Sequence, residues 1–150
     1  MTIQRITQVD PLWLPVADFA EKCSWDACAR MAGYMREGIF SDWERIFVAT
    51  NEGEIIGFCA LIKPIGFPGK EYTPLIKWVF VDENHRGKHI SQVLIEEVVN
   101  YAAALGFEKV YLTTWHLGLY EKFGFIKMCD KEVREGYSES VFSKETGAKI

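Results

Sequence analysis

Apolar residues recur along this chain in two rhythms, and each change of rhythm marks a change of secondary structure. From about Leu14 to Arg36 they fall three and four positions apart: Val16, Phe19, Ala20 and Cys23, then Ala27, Met31, Tyr34 and Met35. That spacing lines one face of a helix. A break near Ser24 places a capping side chain before a second helix, and Gly38 is placed to end it. A longer helix is predicted from about Lys88 to Leu105, with Ile90, Val93, Leu94, Val98, Tyr101, Ala102 and Leu105 on one face and Gly106 as its stop. On this reading His89 and Ser91 lie in the first helical turn and take negative φ.

The shorter runs are rich in β-branched and aromatic residues and read as strands. They are Ile3 to Val9, Arg45 to Thr50, Glu54 to Ile62, Leu75 to Val81, Lys109 to Thr114, Phe125 to Val133 and Tyr137 to Ser143. Asn51-Glu52-Gly53 is a three-residue hairpin connection. Lys63 to Pro74 carries three of the five prolines and is a long loop, of the kind that is mobile or functional. Leu117 to Phe123 is a short helix stopped by Gly124. The order of elements predicts an α/β fold, a central mixed β-sheet with helices on both faces. With 150 residues and no linker or repeat, residues 1–150 form a single domain.

Composition narrows the function classes. A net charge of −4 argues against a nucleic-acid binder with a broad basic face, and is compatible with a cationic substrate. No window approaches a membrane span or a signal peptide, so a cytoplasmic protein without a membrane partner is expected. Cys23, Cys28, Cys59 and Cys129 lack metal-ligand spacing, and no metal is expected. Cys59 and Cys129 sit in apolar runs and read as small buried hydrophobes in a reducing compartment.

The chemistry concentrates in Trp78-Val79-Phe80-Val81-Asp82-Glu83-Asn84-His85-Arg86-Gly87-Lys88-His89-Ile90-Ser91. A buried strand feeds a polar turn that feeds a long helix, whose first N–H groups have no intrahelical partner. The helix dipole and the cations Arg86 and Lys88, with His85 and His89 beside them, suit a diphosphate; a solvated basic helix start is the plain alternative. The two commonest phosphate loops, G-x-x-x-x-G-K-[ST] and G-x-G-x-x-G after the first strand, are absent.

This run resembles motif A of the GNAT superfamily of acetyl-CoA-dependent N-acetyltransferases, whose loop reads [Arg/Gln]-x-x-Gly-x-[Gly/Ala]. Arg86, His89 and Ser91 take the three defining positions, the last two in place of small residues, and Gly87-Lys88 match a common form. Leu119-Tyr120-Glu121-Lys122-Phe123-Gly124-Phe125 resembles the family's motif B, with Thr113 and His116 departing upstream. The hairpin through Gly57-Phe58 resembles the second and third strands, so the likeness covers about residues 45–132.

The resemblance implies an N-acetyltransferase that passes the acetyl group of acetyl-CoA directly to a primary amine of a small molecule or peptide, in a ternary complex. It implies that Phe80, Val81, Arg86, Gly87, Lys88, His89, Ile90 and Ser91 bind the cofactor, and that Tyr120 acts on the leaving thiolate. His116 is the first side-chain candidate for the base, with Glu71 or a water path behind it, because Leu75 stands where some members carry glutamate. Trp43, Tyr72 and Trp115 are candidates to line the acceptor pocket. The alternative is a non-catalytic acyl-CoA-binding sensor with the same fold. Exposed edge strands add the expectation of a homodimer.

Overall fold

A computed structural model describes residues 1–115 and 118–148. Its seven strands form one mixed sheet in the order β1-β2-β3-β4-β5-β7-β6. The strands are β1 Thr2–Ile6, β2 Arg45–Asn51, β3 Glu54–Ile62, β4 Leu75–Val81, β5 Lys109–Thr114, β6 Ile126–Arg134 and β7 Tyr137–Glu145. Three α-helices accompany them: α1 Trp13–Glu21, α2 Asp26–Glu37 and α3 Ile90–Ala104. None of the described helices is long and apolar enough to cross a membrane.

The chain divides into two compact units, Met1–Leu61 with Trp78–Glu97 and Ile62–Lys77 with Val98–Ile150. In the first unit, β1, β2 and β3 pair antiparallel. The β2–β3 connection is tighter than the sequence predicts. Asn51 pairs with Glu54, leaving Glu52 (φ 51) and Gly53 (φ 83) as a two-residue loop. Two consecutive positive φ values define the hairpin turn whose twist matches its strands. The predicted helical break is real, but Ser24 does not cap: the residue before α2 is Trp25, with no side-chain cap bond, and Gly38 ends the helix at φ 68. Trp13 locks the two helices together, its indole N–H donating to the Met35 carbonyl at 3.1 Å. Phe19 of α1 meets Phe58 and Phe80 edge-on. Val16, Met31, Phe47 and Phe58 are fully buried, each worth about 1.5–3 kcal/mol of transfer free energy.

In the second unit, β4 pairs parallel with β5 at Leu75↔Tyr111 and Ile76↔Leu112, and β5, β7 and β6 continue antiparallel. Val110, Leu112, Val141 and Phe142 fill its interior. Residues 63–74 form the expected loop, with cis peptide bonds at Phe67–Pro68 and Thr73–Pro74. The four cysteines are free thiols. Cys59 is buried as expected, but Cys129 is only half-buried, because β6 is an edge strand.

Candidate functional site

The polar turn after β4 is held by its own side chains. The Asp82 N–H donates to the Ile56 carbonyl at 2.8 Å, tying the end of β4 to β3. The Asp82 carboxylate then accepts from the Asn84 N–H and lies 3.2 Å from His85 Nδ1. Arg86 folds back on the strand: its Nε–H donates to the Val81 carbonyl at 3.0 Å and its guanidinium stands 5.7 Å from the Phe80 ring. Phe80, Val81 and Arg86 are thus locked into one corner. Gly57 permits it, since a Cβ there would stand 2.8 Å from the Phe80 carbonyl oxygen.

Beyond Arg86 the backbone alternates in hand. Arg86 has φ −68, Gly87 +84 and His89 +60, and Lys88 between them is not in the positive region. Alternation of this kind turns successive N–H groups toward one side, which makes a concave anion-binding nest. α3 begins at Ile90, two residues later than predicted, and its first intrahelical bond is donated by Val93 to the His89 carbonyl. The amides of Ile90, Ser91 and Gln92 therefore precede the helical ladder and add donors at the positive end of the dipole. Gly87, Lys88 and His89 are exposed, Ser91 is half-buried and Ile90 anchors the corner in the core.

One expectation is corrected here. His89 does not take helical φ; it occupies a left-handed position that favours glycine. A β-carbon there costs about 1–2 kcal/mol, yet the turn forms, and the imidazole projects from an exposed residue. A second left-handed residue, Trp78 at φ 54, kinks β4 itself. Its ring is buried and lies 5.6 Å from the Tyr34 ring. A bulky residue at positive φ is a genuine outlier, and kinked strand backbone of this kind is found beside active sites. No sequence signal marked it, because tryptophan has no preference for that conformation.

Next to this corner, Cys23 and Cys28 share a hydrogen bond at the α1–α2 elbow. Burial pushes both thiols up, Cys28 to about 12, and the Asp82 charge adds to the rise at Cys23.

In the second unit, Tyr120 opens a short 3-10 turn, Tyr120–Phe123, rather than the α-helix predicted from Leu117; Leu117 and His116 lie outside the described residues. Gly124 (φ 91) closes the turn, and the Phe125 N–H donates to the Tyr120 carbonyl at 3.1 Å. Gly118 N–H donates to the Glu121 carboxylate at 2.8 Å, and Lys144 Nζ to the Phe123 carbonyl at 2.6 Å. The half-buried Tyr120 ring packs edge-on against Phe123 and Phe125, which fixes its direction.

Of the other candidates, Leu75 is a core residue, Glu71 is exposed and Trp115 is 63% exposed, while Trp43 is half-buried. Tyr72 does stand on other functional groups. Its hydroxyl is 3.6 Å from Cys129 Sγ, its ring meets Tyr111 edge-on, and Lys131 Nζ lies 5.6 Å from the ring centre. Sequence reasoning missed Glu139. It accepts a hydrogen bond from Thr113 and feels the Lys77 charge, but burial outweighs both and pushes its carboxyl above the usual range.

Residues 42–127 match the family described as Acetyltransferase (GNAT) domain. No curated protein sequence matches the chain. Among solved structures, an aminoglycoside 6'-acetyltransferase type Ii is 18% identical with a TM-score of 0.76, over 100% of both chains. An aminoglycoside 6'-N-acetyltransferase complexed with coenzyme A is 16% identical with a TM-score of 0.75, over 100% of this chain and 99% of that one. A ribosomal-protein-alanine N-acetyltransferase from Brucella melitensis is 20% identical, TM-score 0.63, over 97% and 99%. At such identities these structures establish the fold, and the family match over more than half the sequence establishes membership. The chain belongs to the GNAT acetyltransferase family.

Proposed function

We propose that residues 1–150 work as a single N-acetyltransferase domain that transfers the acetyl group of acetyl-CoA directly to a primary amine of a small molecule or peptide. The observation that carries the reading is the alternating backbone at Arg86 to Ile90, a nest of amide donors with cationic side chains beside it. A solved neighbour is described with coenzyme A bound. The open space above Gly87, where a Cβ would meet nothing within 4 Å, suits the approach of a diphosphate.

Acetyl-CoA, when bound, supplies an activated thioester. The amides of Gly87 to Ser91 bind the diphosphate, with Lys88 and His89 adding charge. The kinked backbone from Trp78 through Phe80 and Val81 holds the pantetheine arm by strand-like bonding, and an N–H there polarises the thioester carbonyl. The resemblance of Leu119 to Phe125 to motif B assigns Tyr120 to the leaving thiolate. A phenol near ~10 is a weaker acid than a thiol near ~8.5, so full proton transfer is uphill by about 2 kcal/mol and a hydrogen bond to the developing thiolate suffices. His116 is the candidate to accept the amine proton.

Two measurements test the reading together. Acetyl-CoA should raise the melting temperature, and a panel of primary amines should release free thiol in a Tyr120-dependent way. Stabilisation without turnover of any amine would make the chain an acyl-CoA sensor. The absence of stabilisation by any CoA species would sink the assignment of the turn.

A further inference from the structure

Strand register in the second unit gathers one set of side chains that the cofactor reading does not use. Tyr111 and Thr113 project to the same side of β5, two residues apart. Leu75 pairs with Tyr111, so Lys77 joins that side from β4. Thr113 pairs with Val141, so Glu139 joins it from β7, and Lys131 of β6 stands directly opposite Glu139. Tyr72 lies over the same side, against Tyr111 and under Lys131. Tyr72, Lys77, Tyr111, Thr113, Lys131 and Glu139 are all half-buried. The alternate residues Leu112, Thr114, Ser140 and Phe142 are buried. On the side of Tyr111 and Thr113, Leu75 and Val141 are buried as well, so the charges and phenols form a half-buried rim around an apolar floor, and Lys77 immediately precedes the kinked residue Trp78.

We propose that this face is the acceptor subsite, with Glu139 binding the substrate ammonium and Lys77 and Lys131 selecting an amine that also carries an anionic group. The inference rests on the acetyltransferase reading above. Thr113 occupies one lone pair of the Glu139 carboxylate, and a carboxylate offers about four acceptor sites. That leaves room for an ammonium at a group whose partial burial strengthens the attraction. Glu139 faces Lys77 from β4, Thr113 from β5 and Lys131 from β6, while Glu71, whose charge reaches Tyr72, is exposed on the loop. Two lysines therefore flank one carboxylate on the face. A second ammonium on the acceptor would meet them as like charges, whereas a carboxylate or phosphate would pair with them. The two-lysine arrangement disfavours polycationic acceptors.

Thiol release measured with γ-aminobutyrate, n-butylamine and putrescine, all four-carbon primary amines, tests this. The expected kcat/KM order is aminobutyrate, butylamine, putrescine, with about tenfold or more between the ends. Glu139→Gln should raise KM for every amine by about tenfold or more while KM for acetyl-CoA holds, and Glu139→Asp should restore part of the loss. The pair Lys77→Met with Lys131→Met should erase the preference for aminobutyrate. Preference for putrescine, or an acceptor KM indifferent to Glu139, overturns the subsite alone. Turnover of no amine by the wild-type chain overturns the acetyltransferase reading and this one with it.

Discussion

The turn after β4 and the face around Glu139 are built on opposite plans. At the turn, the proposed recognition belongs to the backbone: alternating φ at Arg86, Gly87 and His89, and helix amides before Val93, with side chains serving mainly to hold the corner. On the face, the backbone is ordinary paired strand and the proposed recognition belongs to side chains brought from four strands and a loop. A backbone site is contiguous in sequence and tolerates side-chain change wherever φ is preserved. A side-chain site tolerates backbone neighbours but loses its function when one functional group is removed. His89 in a glycine-favouring position keeps the alternating backbone of the first plan, and Glu139 should show the sensitivity of the second.

The largest expected effect breaks the first plan at its hinge. Gly87→Val puts a β-branched residue at φ 84, where it has space but no allowed conformation. We expect KM for acetyl-CoA to rise roughly a hundredfold and the CoA-induced rise in melting temperature to vanish, a loss of about 3 kcal/mol. An unchanged thermal shift would show that the amides of the turn do not bind the diphosphate.

Next comes a side-chain deletion that leaves backbone untouched. Tyr120→Phe keeps the ring packing on Phe123 and Phe125 but removes the hydroxyl. A fall in kcat of roughly ten- to a hundredfold at constant KM for acetyl-CoA is expected from steady-state rates. Equal kcat in the two proteins would remove Tyr120 from the chemistry.

A smaller effect sharpens the contrast within the turn. His89→Gly relieves the left-handed strain, whereas His89→Ala keeps it. Urea unfolding should place the glycine variant about 1 kcal/mol above the alanine variant, although glycine is the more costly residue to order. If alanine is the more stable, residue 89 is helical in solution.

The smallest effect concerns Glu139 and pH. Its folded-state pKa is raised, so the native state binds more protons than the unfolded chain between the ordinary glutamate range and the raised value. Stability from this group is fully present below the ordinary range and is lost as pH rises through the raised value. Glu139→Gln should therefore match the wild type in acid and gain slightly in melting temperature above that window. A gain confined to low pH would reverse the sign and contradict the burial of the carboxylate.

Much of this was legible beforehand. The α3 periodicity, the Gly38, Gly106 and Gly124 stops and the motif around Arg86-Gly87-Lys88 were each readable, because they depend on residues within a turn or two of one another. The hairpin at Asn51 was legible in kind but not in length, since one more backbone pair closes only when the strands twist together. Motif B predicted Tyr120 in a helix, whereas Gly118, Glu121 and Lys144 shape a tighter turn; Lys144 arrives from β7. Cys129 read as core because its neighbours are apolar, yet only the strand order shows that β6 has a free side.

The sequence by itself determined the three long helices, the strands, the mixed sheet and the position of the polar turn after β4, because periodicity, caps and glycines act over a few residues of chain. Only the tertiary structure decided that His89 stands outside the helix, that Trp78 kinks β4, and that Lys77, Thr113, Lys131 and Glu139 share one half-buried face. Those outcomes depend on strand register and on packing between residues as many as 62 positions apart, for which a linear pattern of polar and apolar residues carries no signal.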